Sequence, residues 1–181
     1  VLDVALVELG FVRQEHDRGL YITNFGGKSI YVLLHVDDGI ITGDGDIAGF
    51  IRALGAKFKI THLGEARLFL NILIRRNREQ RIVTLDQRHQ VSSILANHGM
   101  TDCTPVATPV ETKPADLDNP GVEMSTVPYR QAIGELLYLA GCTRPDISFA
   151  VHRQARFASN PSWKDWIAVK RIFRYLKGTP N

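Results

Sequence analysis

Cysteine is scarce in this sequence, and long apolar runs are missing from it. Its two cysteines, Cys103 and Cys142, lie far apart, with neither a CxxC spacing nor histidines at metal-ligand spacing. This argues against a disulfide framework and predicts reduced, structural thiols in an intracellular protein. No apolar run approaches the roughly 20 residues of a membrane helix, and the first residues lack a signal-peptide layout. We therefore expect no association with a membrane.

The charge is unevenly distributed along a chain of ordinary globular composition. Residues 1–65 contain 6 Lys and Arg against 9 Asp and Glu, whereas residues 66–181 contain 16 against 10. An acidic first part followed by a basic second part suits a metal site beside a groove for a polyanion. A solvated surface would give the same balance. Because the first residue is Val1 and not Met, we expect a piece of a longer polypeptide.

Two adjacent aspartates stand between two apolar runs. The runs Ile30–Val36 and Ile40–Thr42 flank Asp37-Asp38-Gly39, which predicts a β-hairpin whose tight turn exposes both carboxylates. Carboxylate oxygens are the hard ligands that Mg²⁺ takes, and two such ions about 4 Å apart can stabilise phosphoryl transfer. The alternative is that Asp and Gly serve here as ordinary turn residues.

The periodicity of the remaining chain predicts an α+β fold. Three antiparallel strands that end at Thr42 are followed by a helix capped by Asp46, with one apolar face. Two further strands are predicted at Leu68–Ile74 and Arg81–Leu85. An extended connection over residues 101–126 separates a helix capped by Asp86 from three C-terminal helices. The last of these helices is predicted to begin after an Asn160 cap.

Two sets of basic residues are candidates for contact with a polyanion. Arg75, Arg76 and Arg78 lie in the predicted connection between the last two strands. Lys170, Arg174 and Lys177 line one edge of the last helix, although such an edge is also typical of a soluble helix surface. Gly134 interrupts the apolar stripe of the helix Tyr129–Ala140.

A series of motifs in a fixed order resembles one known family. The motifs are YVLLHVDDGIITG, LGEARLFLNILI, PVATP, YRQAIGELLYL, CTRPDISFAV and AVKRIFRYLKGT. Over nearly its whole length the chain closely resembles the reverse transcriptase of copia-type (pseudoviral) LTR retrotransposons. The resemblance implies a right-hand polymerase fold. Residues 1–85 would be the C-terminal part of the palm, with an antiparallel sheet and a packed helix. Residues 86–181 would be a helical thumb and the start of a connection toward RNase H.

The resemblance also implies site residues and chemistry. Asp37 and Asp38 match the paired catalytic aspartates, which would hold two Mg²⁺ ions, or Mn²⁺, during RNA-directed DNA polymerisation. Asp37 is expected to be a direct ligand, and Asp38 a second ligand or an electrostatic support. Phe69, Leu70 and Asn71 fall in a stretch similar to the primer grip. Gly134 matches a small residue that follows the minor groove, although close helix–helix packing would equally explain a glycine there.

The implied partners are those of a retrotransposon polymerase. They are an RNA or DNA template with a DNA primer, deoxynucleoside triphosphates, and the remaining Pol polyprotein with its fingers, RNase H and integrase. Integrase is the part that carries out DNA integration. The implied location is a cytoplasmic virus-like particle in an active transposable element.

The sequence departs from the family pattern in three respects. His35 stands where Tyr is usual, and Asn71 stands where Gly is usual. The sequence also begins after the fingers and the first palm strand, so a third catalytic carboxylate is absent from it. We therefore expect this chain to be inactive alone. Two alternatives to an enzyme fragment are a non-catalytic module that binds template and primer, and a transposon relic without function.

Overall fold

The computed structural model describes residues 2–111, 118 and 120–180, which form a mixed α+β protein. Its elements in chain order are α1 (Leu2–Glu8), β1 (Val12–Arg13), β2 (Leu20–Phe25), β3 (Lys28–His35), β4 (Asp38–Gly43), α2 (Ile47–Lys57), β5 (Leu68–Phe69), β6 (Ile72–Asn77), β7 (Ile82–Asp86), α3 (Arg88–Asn97), α4 (Tyr129–Cys142), α5 (Ser148–Ala155) and α6 (Trp163–Gly178). Short 3₁₀ turns at Met124–Thr126 and Pro145–Ile147 precede α4 and α5. The α+β class predicted from the sequence is confirmed. None of the described helices is both long and apolar enough to cross a membrane.

The chain divides into two compact units, residues 1–69 and 70–181. The first unit contains an antiparallel sheet in the order β1-β2-β3-β4. The predicted three-stranded meander is therefore present, with the two-residue strand β1 added at its edge. Alternate residues of β3, Ile30 and Val32, are buried, because successive side chains of a strand point to opposite faces.

Helix α2 completes the core of the first unit. Its N-cap is Asp46, as predicted, and the Asp46 carboxylate accepts a hydrogen bond of 2.8 Å from the Gly49 amide. The helix ends at Lys57, two residues before the predicted end at Lys59. The buried side chains that pack together in this unit are Leu6, Phe11, Tyr21, Ile30, Val32, Phe50 and Leu54.

The second unit is built from the β6–β7 hairpin and helices α3 to α6. Tyr129, at the start of α4, is nearly inaccessible to solvent and donates a hydrogen bond of 2.8 Å to the Gln154 carbonyl in α5. The predicted apolar face of α6 is confirmed, since all five of its residues are buried: Trp166, Val169, Ile172, Phe173 and Leu176. Residues 112–117 and 119 of the predicted extended connection lie outside the described residues.

Three predicted boundaries from Leu68 onward were wrong. The predicted strand Leu68–Ile74 is interrupted by a turn at Leu70 and Asn71. Gln87, and not Asp86, is the N-cap of α3, although the Asp86 carboxylate still accepts a hydrogen bond of 2.8 Å from the Arg88 amide. Helix α6 begins after Ser162, whose hydroxyl and the Asp165 carboxylate form a reciprocal capping box.

Candidate functional site

The paired aspartates lie at the tight turn between β3 and β4. The strand register pairs Leu34 with Gly39 and His35 with Asp38, which leaves Val36 and Asp37 as a two-residue loop. The predicted hairpin is confirmed, but its loop lies one residue earlier than Asp37-Asp38-Gly39. Asp38 is already the first residue of β4. Asp37 and Asp38 are both exposed, as predicted.

The backbone at Val36 is strained. Its φ angle is 53°, in the left-handed region, where a β-branched residue is a genuine outlier. Two-residue hairpin loops favour Gly or Asn at a position with positive φ. Such outliers cost about 1–3 kcal/mol and concentrate at functional sites. Leu70, Asn71 and Arg81 also have positive φ angles, so the conformation of Val36 directs attention to this turn only together with its two adjacent carboxylates.

The carboxylates of Asp37 and Asp38 are adjacent, but they are not part of a larger cluster of metal ligands in the described part of the chain. Among the described residues, no group of three or more His, Cys, Asp or Glu side chains could hold an ion. The nearby Asp44 and Asp46 have structural partners, because Asp44 accepts from the Ser29 amide at 2.7 Å and Asp46 caps α2. Mg²⁺ commonly takes one or two protein carboxylates, with substrate phosphates and waters as its other ligands. Asp37 and Asp38 fit that part of its ligand set.

The three arginines of the β6–β7 region are not all in the connecting turn. Arg75 and Arg76 lie within β6, and only Arg78 follows its end, so the prediction of one connection over Arg75–Gln80 was wrong. Arg75 pairs with Thr84, and Arg76 pairs with Val83 on β7. Because successive residues of a strand point to opposite faces, Arg75 and Arg76 cannot contact a ligand from the same side of the hairpin.

Arg75 also differs from Arg76 in having a partner on its own face. Its guanidinium lies 3.6 Å from the Asp86 carboxylate, which is largely buried. Arg88 donates a hydrogen bond of 2.6 Å to the same carboxylate, and this bond is the main reason why the pKa of Asp86 is lowered. Arg76 is exposed and has no ion-pair partner among the residues that the structure describes. Its charge is therefore more available to a polyanion.

The predicted primer-grip-like residues form the turn between β5 and β6. Phe69 ends β5, and Leu70 and Asn71 form the loop with φ angles of 49° and 61°. Asn is one of the few residue types other than Gly that tolerate this conformation. The Leu70 carbonyl accepts a hydrogen bond from the Tyr138 hydroxyl of α4. Tyr138 was not among the predicted site residues. In the sequence, only its position four residues after Gly134, on the same face of the helix, could have indicated it.

Gly134 lies on the exposed side of α4. A Cβ atom built on it would meet no heavy atom within 4 Å. Close helix–helix packing, one of the two explanations for this glycine, is therefore wrong for the described residues. The open space leaves room for the backbone of a ligand to approach the helix.

The basic edge of α6 is partly engaged within the protein. The Lys170 amine lies over the indole rings of Trp163 and Trp166, 5.4 and 5.6 Å from their centroids. The Arg174 guanidinium donates a hydrogen bond of 2.7 Å to the Thr104 carbonyl. Only Lys177 of the three is exposed. The structure therefore leaves Lys177 as the freest cation of this edge.

Comparison with known proteins gives the family. Residues 1–112 match the family described as reverse transcriptase (RNA-dependent DNA polymerase). The chain belongs to the reverse transcriptase family. It is 36% identical over 180 residues to the retrovirus-related Pol polyprotein from transposon TNT 1-94 of Nicotiana tabacum. It is also 35% identical over 179 residues to that from transposon RE2 of Arabidopsis thaliana. The resemblance to copia-type retrotransposon Pol is thereby confirmed.

The reverse transcriptase match concerns only part of these long relatives. The alignments cover 93% and 97% of this chain, but 14% of the tobacco polyprotein and 12% of the Arabidopsis one. A shorter relative, the putative transposon Ty5-1 protein of Saccharomyces cerevisiae, is 28% identical over 178 residues, which are 96% of this chain and 57% of that protein. No solved structure matches the chain.

Proposed function

We propose that this chain is the metal-holding and template-primer-binding part of a retrotransposon reverse transcriptase. The observation that carries the proposal is a strained two-residue hairpin turn with two adjacent exposed carboxylates, in a chain of that family. Residues 1–85 would contribute the end of the palm and residues 86–181 the thumb and the start of the connection. The compact units divide at Phe69 and Leu70, so the turn with Asp37 and Asp38 lies wholly in the first unit.

In this proposal Asp37 and Asp38 hold the catalytic magnesium ions. Asp37, in the loop, is the direct ligand, and Asp38 is a second ligand or an electrostatic support. Bound metal would lower the pKa of the primer 3′-hydroxyl and stabilise the leaving pyrophosphate. Because the described residues supply only this pair, a carboxylate from elsewhere in the Pol polyprotein would complete the site.

The second unit would hold the template–primer duplex. Its main candidates are Arg76 of the hairpin region, Gly134 on the open side of α4, and Lys177 on α6. The turn of Leu70 and Asn71, fixed to α4 through Tyr138, would support the primer strand. Arg75, Lys170 and Arg174 have partners within the protein and would contribute less. The incoming deoxynucleoside triphosphate would also contact segments outside this chain.

Binding to an RNA–DNA hybrid duplex should depend on salt and on Arg76. Each phosphate contact releases counterions, so the logarithm of the affinity should fall linearly with the logarithm of the salt concentration, with a slope near −0.9 per contact. We expect Arg76→Ala to reduce that slope by about 0.9 and Arg75→Ala to change it less, because Arg75 already contacts Asp86. Fluorescence anisotropy of a labelled hybrid at several salt concentrations measures both slopes.

Arg52→Ala is the matched control for this titration. Arg52 is exposed on α2 in the first unit, so this variant loses the same charge far from the proposed duplex contacts in sequence. If Arg52→Ala and Arg76→Ala lower the affinity equally, binding reflects net charge and not a specific surface. Absence of binding at the lowest salt, from protein shown to be folded, would contradict the proposed role of the second unit.

A further inference from the structure

Two phenyl rings are exposed on and directly after helix α5. Phe149, in its first turn, is 73% exposed, and Phe157, just beyond its end, is 41% exposed. The opposite side of the helix is fully occupied in the core, where Ala150 and Val151 are almost inaccessible to solvent. The Phe149 ring therefore contributes little to folding, whereas more than half of the Phe157 surface is covered.

Basic side chains surround these rings. Arg153 and Arg156 lie four and seven residues after Phe149, spacings that place side chains on one face of a helix. Both arginines are exposed, and neither side chain has an ion-pair or hydrogen-bond partner within the described part of the chain. Helix α5 contains no carboxylate. Cations near the C-terminus of a helix stabilise it through the helix dipole, which accounts for the arginines. It does not account for the exposed phenyl rings.

The segment that follows α5 is held in place. The Arg130 guanidinium of α4 donates a hydrogen bond of 2.8 Å to the Ala158 carbonyl, directly after Phe157. The Phe157 amide donates to the Gln154 carbonyl at 3.0 Å, which continues the helical path to this residue. These bonds hold the backbone that carries a group of exposed aromatic and basic side chains, which we call the α5 face: Phe149, His152, Arg153, Arg156 and Phe157.

We propose that the α5 face binds single-stranded nucleic acid. Proteins commonly bind single-stranded nucleic acid through aromatic rings beside cations, because unpaired bases stack on the rings while phosphates contact the cations. From Phe149 to Ala155 helix α5 rises about 9 Å at 1.5 Å per residue, and Phe157 lies two residues beyond its end, so the two rings span a length suited to about three stacked nucleotides. A duplex fits less well, because its base faces are already covered. This surface is distinct from the residues proposed above for the duplex and does not depend on polymerase activity.

The experiment is an anisotropy titration of the folded chain with a short fluorescein-labelled oligo(dT) at low salt. We expect Phe149→Ala to weaken binding about tenfold, since stacking of one base is lost, and Phe149→Tyr to stay within about twofold of the wild type. Arg156→Ala should weaken binding and reduce the salt slope, whereas the control Arg52→Ala should have little effect. Because Phe149 is exposed, these variants should unfold at the wild-type temperature. Binding to the hybrid duplex should remain unchanged in Phe149→Ala.

Three results would contradict the α5 face as a single-strand site. One is wild-type affinity for oligo(dT) in both Phe149→Ala and Arg156→Ala. Another is the absence of oligo(dT) binding by the folded wild-type chain. The third is competition by poly-L-glutamate as strong as that by unlabelled oligo(dT), which would indicate a surface for acidic proteins. An unchanged duplex salt slope in Arg76→Ala, together with weakened oligo(dT) binding in Phe149→Ala, would contradict the duplex proposal and support this one, so the two proposals can fail separately.

Discussion

Asp37→Asn should lower primer extension by about a thousandfold when residues 1–180 replace the matching segment of the tobacco TNT 1-94 Pol polyprotein. Removal of one charged metal ligand should cost about 4 kcal/mol of transition-state stabilisation, and each 1.36 kcal/mol is a factor of ten in rate. The graft is reasonable because the two sequences are 36% identical over 180 residues. Incorporation of dTTP on a poly(A)–oligo(dT) substrate with Mg²⁺ measures the loss.

The controls for this variant lie at the start of β4 and directly after its end. Asp38→Asn should reduce extension less, because Asp38 begins β4 and is the weaker candidate ligand. Asp44→Asn should keep most of the activity, since the amide oxygen of Asn can still accept the Ser29 hydrogen bond. Extension that survives Asp37→Asn in a folded, active graft would contradict the role given to Asp37. The isolated chain should show no extension above background, because the described residues provide only two carboxylates at this turn.

Arg144→Ala should lower the free energy of unfolding by about 3 kcal/mol. Arg144 is only 8% exposed, and its guanidinium donates to the Asp146 carboxylate at 2.9 and 2.7 Å. It also donates to the Thr179 carbonyl at 2.6 Å, which ties the end of α4 to the end of α6. Truncation leaves these acceptors without their main donor. The value is at the lower end for a broken buried pair because the Asp146 side chain is 38% exposed.

The Arg144–Asp146 ion pair should make the free energy of unfolding depend on pH. The hydrogen bond from Arg144 is the main cause that lowers the pKa of Asp146 in the folded protein. A carboxyl with a lowered folded pKa stabilises the fold above its unfolded pKa, near 3.9, and loses that contribution as pH falls through the folded value. Urea unfolding at pH 7 and below pH 4 should therefore show a smaller difference between Arg144→Ala and wild type in acid. Arg153→Ala, which removes an exposed arginine, should change stability by less than about 0.5 kcal/mol at either pH.

The sequence predicted the hairpin well because the apolar pattern on both sides of the aspartates is unambiguous. It placed the loop one residue late, since Asp and Gly are typical turn residues and Val is not. In the structure, burial of Ile30 and Val32 on one face fixes the register of β3, and a shift by one residue would turn both outward. The positive φ of Val36 follows from that tertiary constraint and not from a local preference.

The basic candidates show where a single sequence gives too little information. Spacing placed Lys170, Arg174 and Lys177 on one helix edge, but it could not show that the Thr104 carbonyl, 70 residues earlier in the chain, accepts a hydrogen bond from Arg174. The contact of Lys170 with Trp163 and Trp166 was readable from the sequence, because the two tryptophans lie seven and four residues earlier on the same helix. The apolar run around Leu70 and Asn71 reads as one strand, because only Asn71 hints at the positive φ angles that divide it.

The most direct test of the central claim, that the β3–β4 turn holds the metal ions, is Mn²⁺-induced broadening of amide resonances in the isolated chain. We predict that substoichiometric Mn²⁺ broadens the signals of Val36, Asp37, Asp38 and Gly39 first. The Asp37→Asn/Asp38→Asn double variant should lose this effect. Asp44 and Asp46 provide an internal comparison, because both carboxylates already accept backbone hydrogen bonds. Broadening centred on Asp44 and Asp46, or elsewhere, with the turn unaffected would contradict the claim.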